Sequence, residues 1–278
     1  MIGYSPIIPL SGYTGWRFLE KTMDRQQAAF DSSAQIKREI DYFSNKIGDT
    51  LTAKDLVADR RLLRVALGAF GLEDDIDKKA YVLKALEEGT DSRKAFANRM
   101  VDKRYQEFVK AFGYGNQSGP AVNTYGFVAD ITRKYKIQKF EQSVGEVDQS
   151  MRLAMTFSRE IGGFANSNKP DSTAWYKILG NPPMRSVFET AFGLPGSFGR
   201  LDIDRQMQIM REKAGKMLGD TSVAVFKDPE KVTKLLQTFF LRKQMSEGAG
   251  VASSQSIALS LLGDASTGMS GLVQSRLF

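Results

Sequence analysis

The sequence predicts an all-α, multihelical protein built as two internally repeated halves, each a long helix followed by short capped helices. Three observations predict it. First, four stretches share one pattern: Asp59 to Leu72 (DRRLLRVALGAFGL), Asp102 to Tyr114 (DKRYQEFVKAFGY), Asn181 to Leu194 (NPPMRSVFETAFGL) and Asp228 to Phe240 (DPEKVTKLLQTFF). Each opens with Asp or Asn, carries an apolar stripe at helical spacing and closes on an aromatic residue. Second, two longer stretches, Trp16 to Ile47 and Tyr125 to Ile161, repeat apolar residues every three or four positions. Third, no alternating apolar run is long enough for a strand.

The pattern has a physical reading. An Asp or Asn side chain accepts an orphan backbone N–H of the first helical turn. Pro182 and Pro229 follow two of these caps, where a missing N–H costs nothing. Gly71, Gly113 and Gly193 follow the closing aromatics of three copies and can take the left-handed conformation that ends a helix. Phe240 replaces Gly in the fourth copy, so that helix runs on to Met245 or beyond. The aromatics Phe70, Phe112, Phe192 and Phe239 are expected to turn inward. AFGL occurs intact twice, and Ile76-Asp77-Lys78 matches Ile203-Asp204-Arg205 after it. Repetition at this scale indicates a duplicated helical unit.

Taken in order, residues 1–15 are Pro/Gly-rich and read as an extended segment. The first half spans 16–115 and starts with one long helix, Trp16 to Ile47, whose first part is expected to project from the body. Gly48 stops it. Thr52 to Ala58 is a short helix, with Thr52 and Asp55 spaced as a capping box. The repeated helix follows, then Glu73, Asp74, Asp75 and Asp77 ahead of a helix from Ile76 to Glu87. These acids suit a helix N-terminus better than a metal site, because they lack the glycine and distal Glu of a calcium loop. The loop 113–123 (GYGNQSGPAVN) joins the halves. The second half spans 116–247. Its pieces are a long helix Tyr125 to Ile161, then Asp171 to Leu179, Pro182 to Phe192, Asp202 to Leu218, Ser222 to Phe226 and Pro229 to Glu247. Residues 248–278 form a low-charge, Gly/Ser-rich tail expected to be flexible.

Composition excludes much chemistry. The 278 residues contain no Cys and no His, which removes disulfides, thiolates, Ser-His and Cys-His catalysis and the commonest zinc ligand. The formal charge of +7 permits an anionic partner without requiring one. No run is long enough to cross a membrane, and the N-terminus does not read as a signal peptide. The default compartment is the cytoplasm, and export without a cleaved signal is compatible with the sequence.

Tyr42-Phe43-Ser44-Asn45-Lys46-Ile47-Gly48, Asp59-Arg60-Arg61-Leu62, Ala69-Phe70-Gly71-Leu72, Phe96-Ala97-Asn98-Arg99 and Phe108-Val109-Lys110-Ala111-Phe112 together resemble the domain-of-unknown-function family 1217. The likeness runs from about Ile40 to Lys243. The resemblance implies an all-helical fold with an internal duplication. It also implies an alphaproteobacterial protein whose gene lies among flagellar genes, with no catalytic residues to carry over.

The leading expectation is therefore a non-enzymatic structural, assembly or accessory protein of the bacterial flagellum. It would work through helical contacts with other chains, self-association included. No catalytic, cofactor or metal residues are assigned. Partner contacts are sought at Trp16, Phe18 and Leu19 and, in the tail, at Ile257, Leu261 and Leu262. The alternative is a binding module for an anionic partner, nucleic acid being disfavoured, through Arg60, Arg61, Arg64, Arg133, Lys134, Lys136 and Lys139. An enzyme would need a carboxylate pair drawn from Glu141, Glu146 and Glu160.

Overall fold

Each Asp or Asn that opens the repeated pattern meets the helix behind it in the computed structural model, which describes residues 4–168 and 170–247. Asp59 Oδ1 accepts from Arg61 N at 2.8 Å and Leu62 N at 3.1 Å. Asn181 Oδ1 accepts from Met184 N at 3.3 Å, Asp102 Oδ1 from Arg104 N at 3.0 Å and Asp228 Oδ1 from Glu230 N at 2.8 Å. At the far ends, Gly71, Gly113 and Gly193 have φ of +68°, +72° and +63°. Phe70, Phe112, Phe192 and Phe239 are all buried. The capping box at Thr52 and Asp55 also forms.

Among the described residues there are thirteen α-helices and no strand. They are α1 (Gly12–Asp31), α2 (Ala34–Lys46), α3 (Ala53–Ala58), α4 (Arg60–Gly68), α5 (Lys79–Glu88), α6 (Phe96–Arg99) and α7 (Arg104–Phe112). Then come α8 (Phe127–Val147), α9 (Gln149–Ala165), α10 (Asp171–Leu179), α11 (Pro182–Phe192), α12 (Ile203–Leu218) and α13 (229–247). Short 3-10 turns at Glu73–Asp75 and Phe198–Arg200 follow the two AFGL sequences. The equivalence seen is that of helix ends, since α5 has 10 residues and α12 has 16. One hydrophobic cluster runs from Trp16 to Phe240 and crosses residues 115–116 without a break.

Both expected long helices are broken. The first stops at Asp31, because Ser33 is extended (φ −63°, ψ 144°) and Ser32 Oγ bonds back to Ala28 O at 2.9 Å. Adjacent serines compete with the helical ladder in this way. The second stops at Val147. Asp148 is extended (φ −149°, ψ 108°) and caps α9, accepting from Ser150 N at 2.7 Å and Met151 N at 3.3 Å. In both cases the apolar period runs through the break and hides it.

Nor does the first helix project. Trp16 is 1% and Leu19 0% exposed, Trp16 stacks on Phe240 of α13 at 6.2 Å, and Phe30 meets Phe140 of α8 at 5.7 Å. Burying such side chains contributes roughly 1.5–3 kcal/mol each. Buried Gln26 holds the N-terminal segment across α1, accepting from Ile7 N at 2.8 Å and donating to Ile7 O at 3.1 Å.

Two glycines should respond with opposite sign. At Gly113, with φ +72°, an added Cβ would lie 2.7 Å from the Gly119 carbonyl oxygen. Gly113→Ala is expected to cost at least about 1–2 kcal/mol. Gly163 lies inside α9 with nothing within 4 Å of an added Cβ. Gly163→Ala is expected to add about 0.5–1 kcal/mol. Urea midpoints of the two variants measure both effects.

Candidate functional site

The break at Asp148 folds α8 back along α9. Glu141, seven residues before it, thereby meets Thr156 and Arg159 beyond it. Glu141 is 2% exposed and accepts from Thr156 Oγ1 at 2.8 Å, Arg159 Nε at 2.7 Å and Arg159 Nη2 at 3.1 Å. A buried carboxylate persists only with such partners. Arg159 also reaches Glu160 at 3.1 Å, and Glu160 accepts from Asn181 Nδ2 at 2.7 Å. Asn181 is thus both the cap of α11 and the tether of Glu160. Burial alone would lower the Arg159 pKa, but its bonds and charge interaction with Glu141 more than reverse this and leave it raised. Burial pushes the Glu160 carboxyl up, and the Arg159 charge only partly opposes it.

Arg159, Glu160 and Asn181 line a cleft of about 240 Å³ with Phe70, Arg104 and Lys134. A second lobe of about 230 Å³ shares Arg104, Glu107 and Asn181 with it and adds Lys103, Lys110 and Lys177. Two contacts build this junction. Lys103 N donates to Gly180 O at 2.9 Å, tying the start of α7 to the turn between α10 and α11. Arg104 Nη1 donates to Gly71 O at 2.5 Å while its Nη2 pairs with Asp102 at 2.6 Å. The arrangement can hold negatively charged groups between helices.

The residues expected to bind partners are placed differently. Trp16 and Leu19 belong to the core and offer nothing to another chain, which corrects the expectation for both. Phe18 beside them is half-buried. Ile257, Leu261 and Leu262 lie outside the described residues.

Most of the basic residues considered for an anion are held within the chain. Arg60 pairs with Asp77 at 2.5 Å, Arg133 with Asp130 at 3.1 Å, Lys136 with Asp31 at 3.0 Å and Lys139 with Glu73 at 3.0 Å. Arg61 lies 3.6 Å over the Tyr42 ring and Lys134 4.6 Å over the Phe70 ring. Arg64, half-buried, lies near Tyr135. The same pairs occupy the acidic cluster, with Asp75 held by Lys78 at 2.6 Å and by Tyr105 at 2.7 Å. Among the described residues, no three acidic side chains are grouped to hold a metal.

The three glutamates considered for an enzyme are not gathered. Glu141 and Glu160 share Arg159, while exposed Glu146 lines a separate cavity of about 360 Å³ with Tyr4, Phe30 and Arg38. The Glu141–Arg159 network itself was hidden from sequence reasoning, because a straight helix keeps those residues far apart. The signal that could have exposed it is Asp148 followed two positions on by Ser150, a cap inside an apparent helix.

A family model described as "Protein of unknown function (DUF1217)" matches residues 69–232, a span that contains the whole cleft. Among solved structures, an X-ray crystal structure of an Agrobacterium tumefaciens protein, a structural-genomics target, is similar. It is 28% identical, with a TM-score of 0.70 over 87% of this chain and 99% of that one. A comparison with proteins of curated function returned no match.

Two outcomes test the network. Arg159→Met leaves Glu141 buried without its partner and is expected to cost about 3 kcal/mol. This is the low end for a broken buried pair, because Arg159 is itself 32% exposed. Adding Glu141→Leu should restore most of that loss in a urea-denaturation cycle. The second outcome concerns pH. A carboxyl whose folded pKa is raised binds more protons folded than unfolded, so its contribution to stability falls as pH rises past its ordinary value of 4.5. Glu160→Gln removes this term, so the variant should gain on the wild type between pH 4 and pH 7. A variant that loses ground to the wild type over that range would contradict the raised pKa.

Proposed function

We propose, from the premise that this chain belongs to the DUF1217 family of proteins of unknown function, that it is a non-enzymatic structural or assembly protein acting on other protein chains. The observation that carries this reading is how the chain uses its ionisable side chains. Glu141, Glu160, Asp75 and Asp77, the acids best placed for chemistry, are each bonded to a cation within the fold. With no His and no Cys anywhere in the sequence, imidazole and thiolate chemistry are excluded, and Glu160, whose carboxyl burial pushes up, is engaged by Arg159 and Asn181.

The setting we propose is the bacterial flagellum, in the cytoplasm or travelling with exported flagellar components. The support for it is the gene neighbourhood that the family resemblance implies. Among the described residues no helix is long and apolar enough to cross a membrane. The anionic-partner reading through the basic faces of α4 and α8 is weakened, because Arg60, Arg133, Lys136 and Lys139 all have carboxylate partners.

The test is deletion of the gene in its own organism, scored by swimming and by electron microscopy of filaments. Loss of swimming is the expected result. Missing filaments then assign the protein to assembly or export, and intact filaments to the motor. Normal swimming with normal filaments overturns the flagellar reading.

A further inference from the structure

The positive charge of the chain is distributed unevenly with respect to its ion pairs. Outside the cleft many exposed cations, Lys21, Lys54 and Lys79 among them, also have no acid within 4.0 Å among the described residues, so what sets the cleft apart is that its unpaired cations are gathered. Lys103, Lys110, Lys134 and Lys177 converge on one two-lobed groove, and none lies within 4.0 Å of a carboxylate among the described residues. Lys103 is held by two carbonyls instead, Asn98 O at 3.1 Å and Met100 O at 2.8 Å, which aim its ammonium without neutralising it. The guanidiniums of the groove are already neutralised, Arg104 by Asp102 and Arg159 by Glu141. The unbalanced charge is therefore carried by lysines, and only Glu107 and Glu160 oppose it on the walls.

We propose that this groove docks an acidic segment of a partner protein, with carboxylate side chains taken up by Lys103, Lys110, Lys134 and Lys177. The inference rests on the reading that the chain works through protein contacts, and it names the chemistry of one such contact. Charge complementarity selects the occupant. Two lobes of about 230 and 240 Å³ each admit one or two side chains of an extended segment. Lysines on flexible stems accept carboxylates at varied positions, where a planar guanidinium demands a fixed fork. A nucleic-acid backbone wants a continuous basic track, and here Glu107 and Glu160 interrupt it. Gly180 sets the shape: a Cβ there would meet Lys103 Cγ at 2.8 Å and Val101 O at 3.0 Å, so the walls close up only around glycine.

The full chain is titrated into a fluorescein-labelled octaglutamate peptide at low ionic strength, with anisotropy as the readout. Lys110 and Lys177 have no ion pair to lose, but each lies in the last turn of its helix, where a cation is favoured, so a Lys110→Glu/Lys177→Glu variant should stay folded and melt slightly below the wild type. A Lys110→Gln/Lys177→Gln variant gives the same comparison without added acids. The charge-reversed pair is expected to bind the peptide at least tenfold more weakly. Lys54→Glu/Lys227→Glu, an equal change of net charge at exposed positions elsewhere, should shift binding less than twofold. Equal losses in both pairs would reduce the effect to net charge and overturn the proposal, as would no binding by the wild type. A labelled single-stranded dodecanucleotide that binds more tightly than the peptide and is lost in the same variant would replace the proposed occupant with nucleic acid. The flagellar reading fails separately: a deletion strain that swims normally removes it whatever the peptide does.

Discussion

Asp148 determines the course of the middle of the chain. Residues 127–165 without a break would form a rod of about 58 Å, longer than a domain of this size is wide. The Asp148 side chain offers the backbone an alternative, accepting two N–H groups that a continuous helix would use internally. A cap of this kind contributes about 1 kcal/mol, too little to bend a helix on its own. What secures the bend is the burial it permits. Phe140 and Val144 on one arm join Met151 and Phe157 on the other in the common core. Gly145 lets the arms approach, since a Cβ there would meet Arg152 Cδ at 2.6 Å. The Glu141–Arg159 pair then exists only because the arms are folded together. It acts less as a source of stability than as a lock on register, because any slip of one helix along the other would leave Glu141 buried and alone.

The same geometry sorts the charges of the chain into two kinds. Pairs such as Arg17–Glu20 and Arg133–Asp130 lie in water and contribute little. Lys139–Glu73 and Lys136–Asp31 are partly buried and join α8 to the turn before α5 and to α1. In this way α8, whose basic run suggests an outward electrostatic face, is bound inward on several sides. The net charge of +7 is consequently not a property of that helix. Part of it collects in the groove lined from α7, α8 and α10, because Lys103, Lys110, Lys134 and Lys177 outnumber Glu107 and Glu160 there.

The fold was legible wherever a local rule decided it. Asn181, Asp59 and Thr52 cap because their side chains reach N–H groups two or three residues away. Gly113 and Gly193 terminate because only the left-handed region lets the chain turn there. Those interactions are short in sequence, and the order of α3, α4 and α7, and of α10 to α13, follows from such local signals. The breaks at Ser33 and Asp148 were not legible, because the apolar period that marks a helix continues across each of them. Tertiary burial keeps the period in phase on both sides of a bend, so the signal for a helix is also the signal for two helices packed together. The burial of Trp16 and Leu19 was missed for a related reason: an amphipathic stripe shows that a face is covered, not whether the cover is its own chain or another. The groove was invisible for the plainest reason, since Lys103, Lys134, Arg159 and Lys177 come from four separate helices or their approaches and meet only in three dimensions.

This division of charge has a consequence for how salt acts on the molecule. At an ionic strength near 0.1 M the screening length is about 10 Å, so interactions through water between exposed charges are weakened while buried ones are largely spared. Glu141, at 2% exposure and with three bonds to its oxygens, belongs to the spared class. Lys110 is exposed and belongs to the screened class. Electrostatics that set the fold and electrostatics that set an encounter are therefore separated by burial. On the proposed docking, salt weakens the grip of the groove on a carboxylate ligand while leaving the helix pair that builds the groove intact. If the groove docks an acidic segment as proposed, the shape held by the core and the buried Glu141–Arg159 pair stays constant while that association varies with the medium.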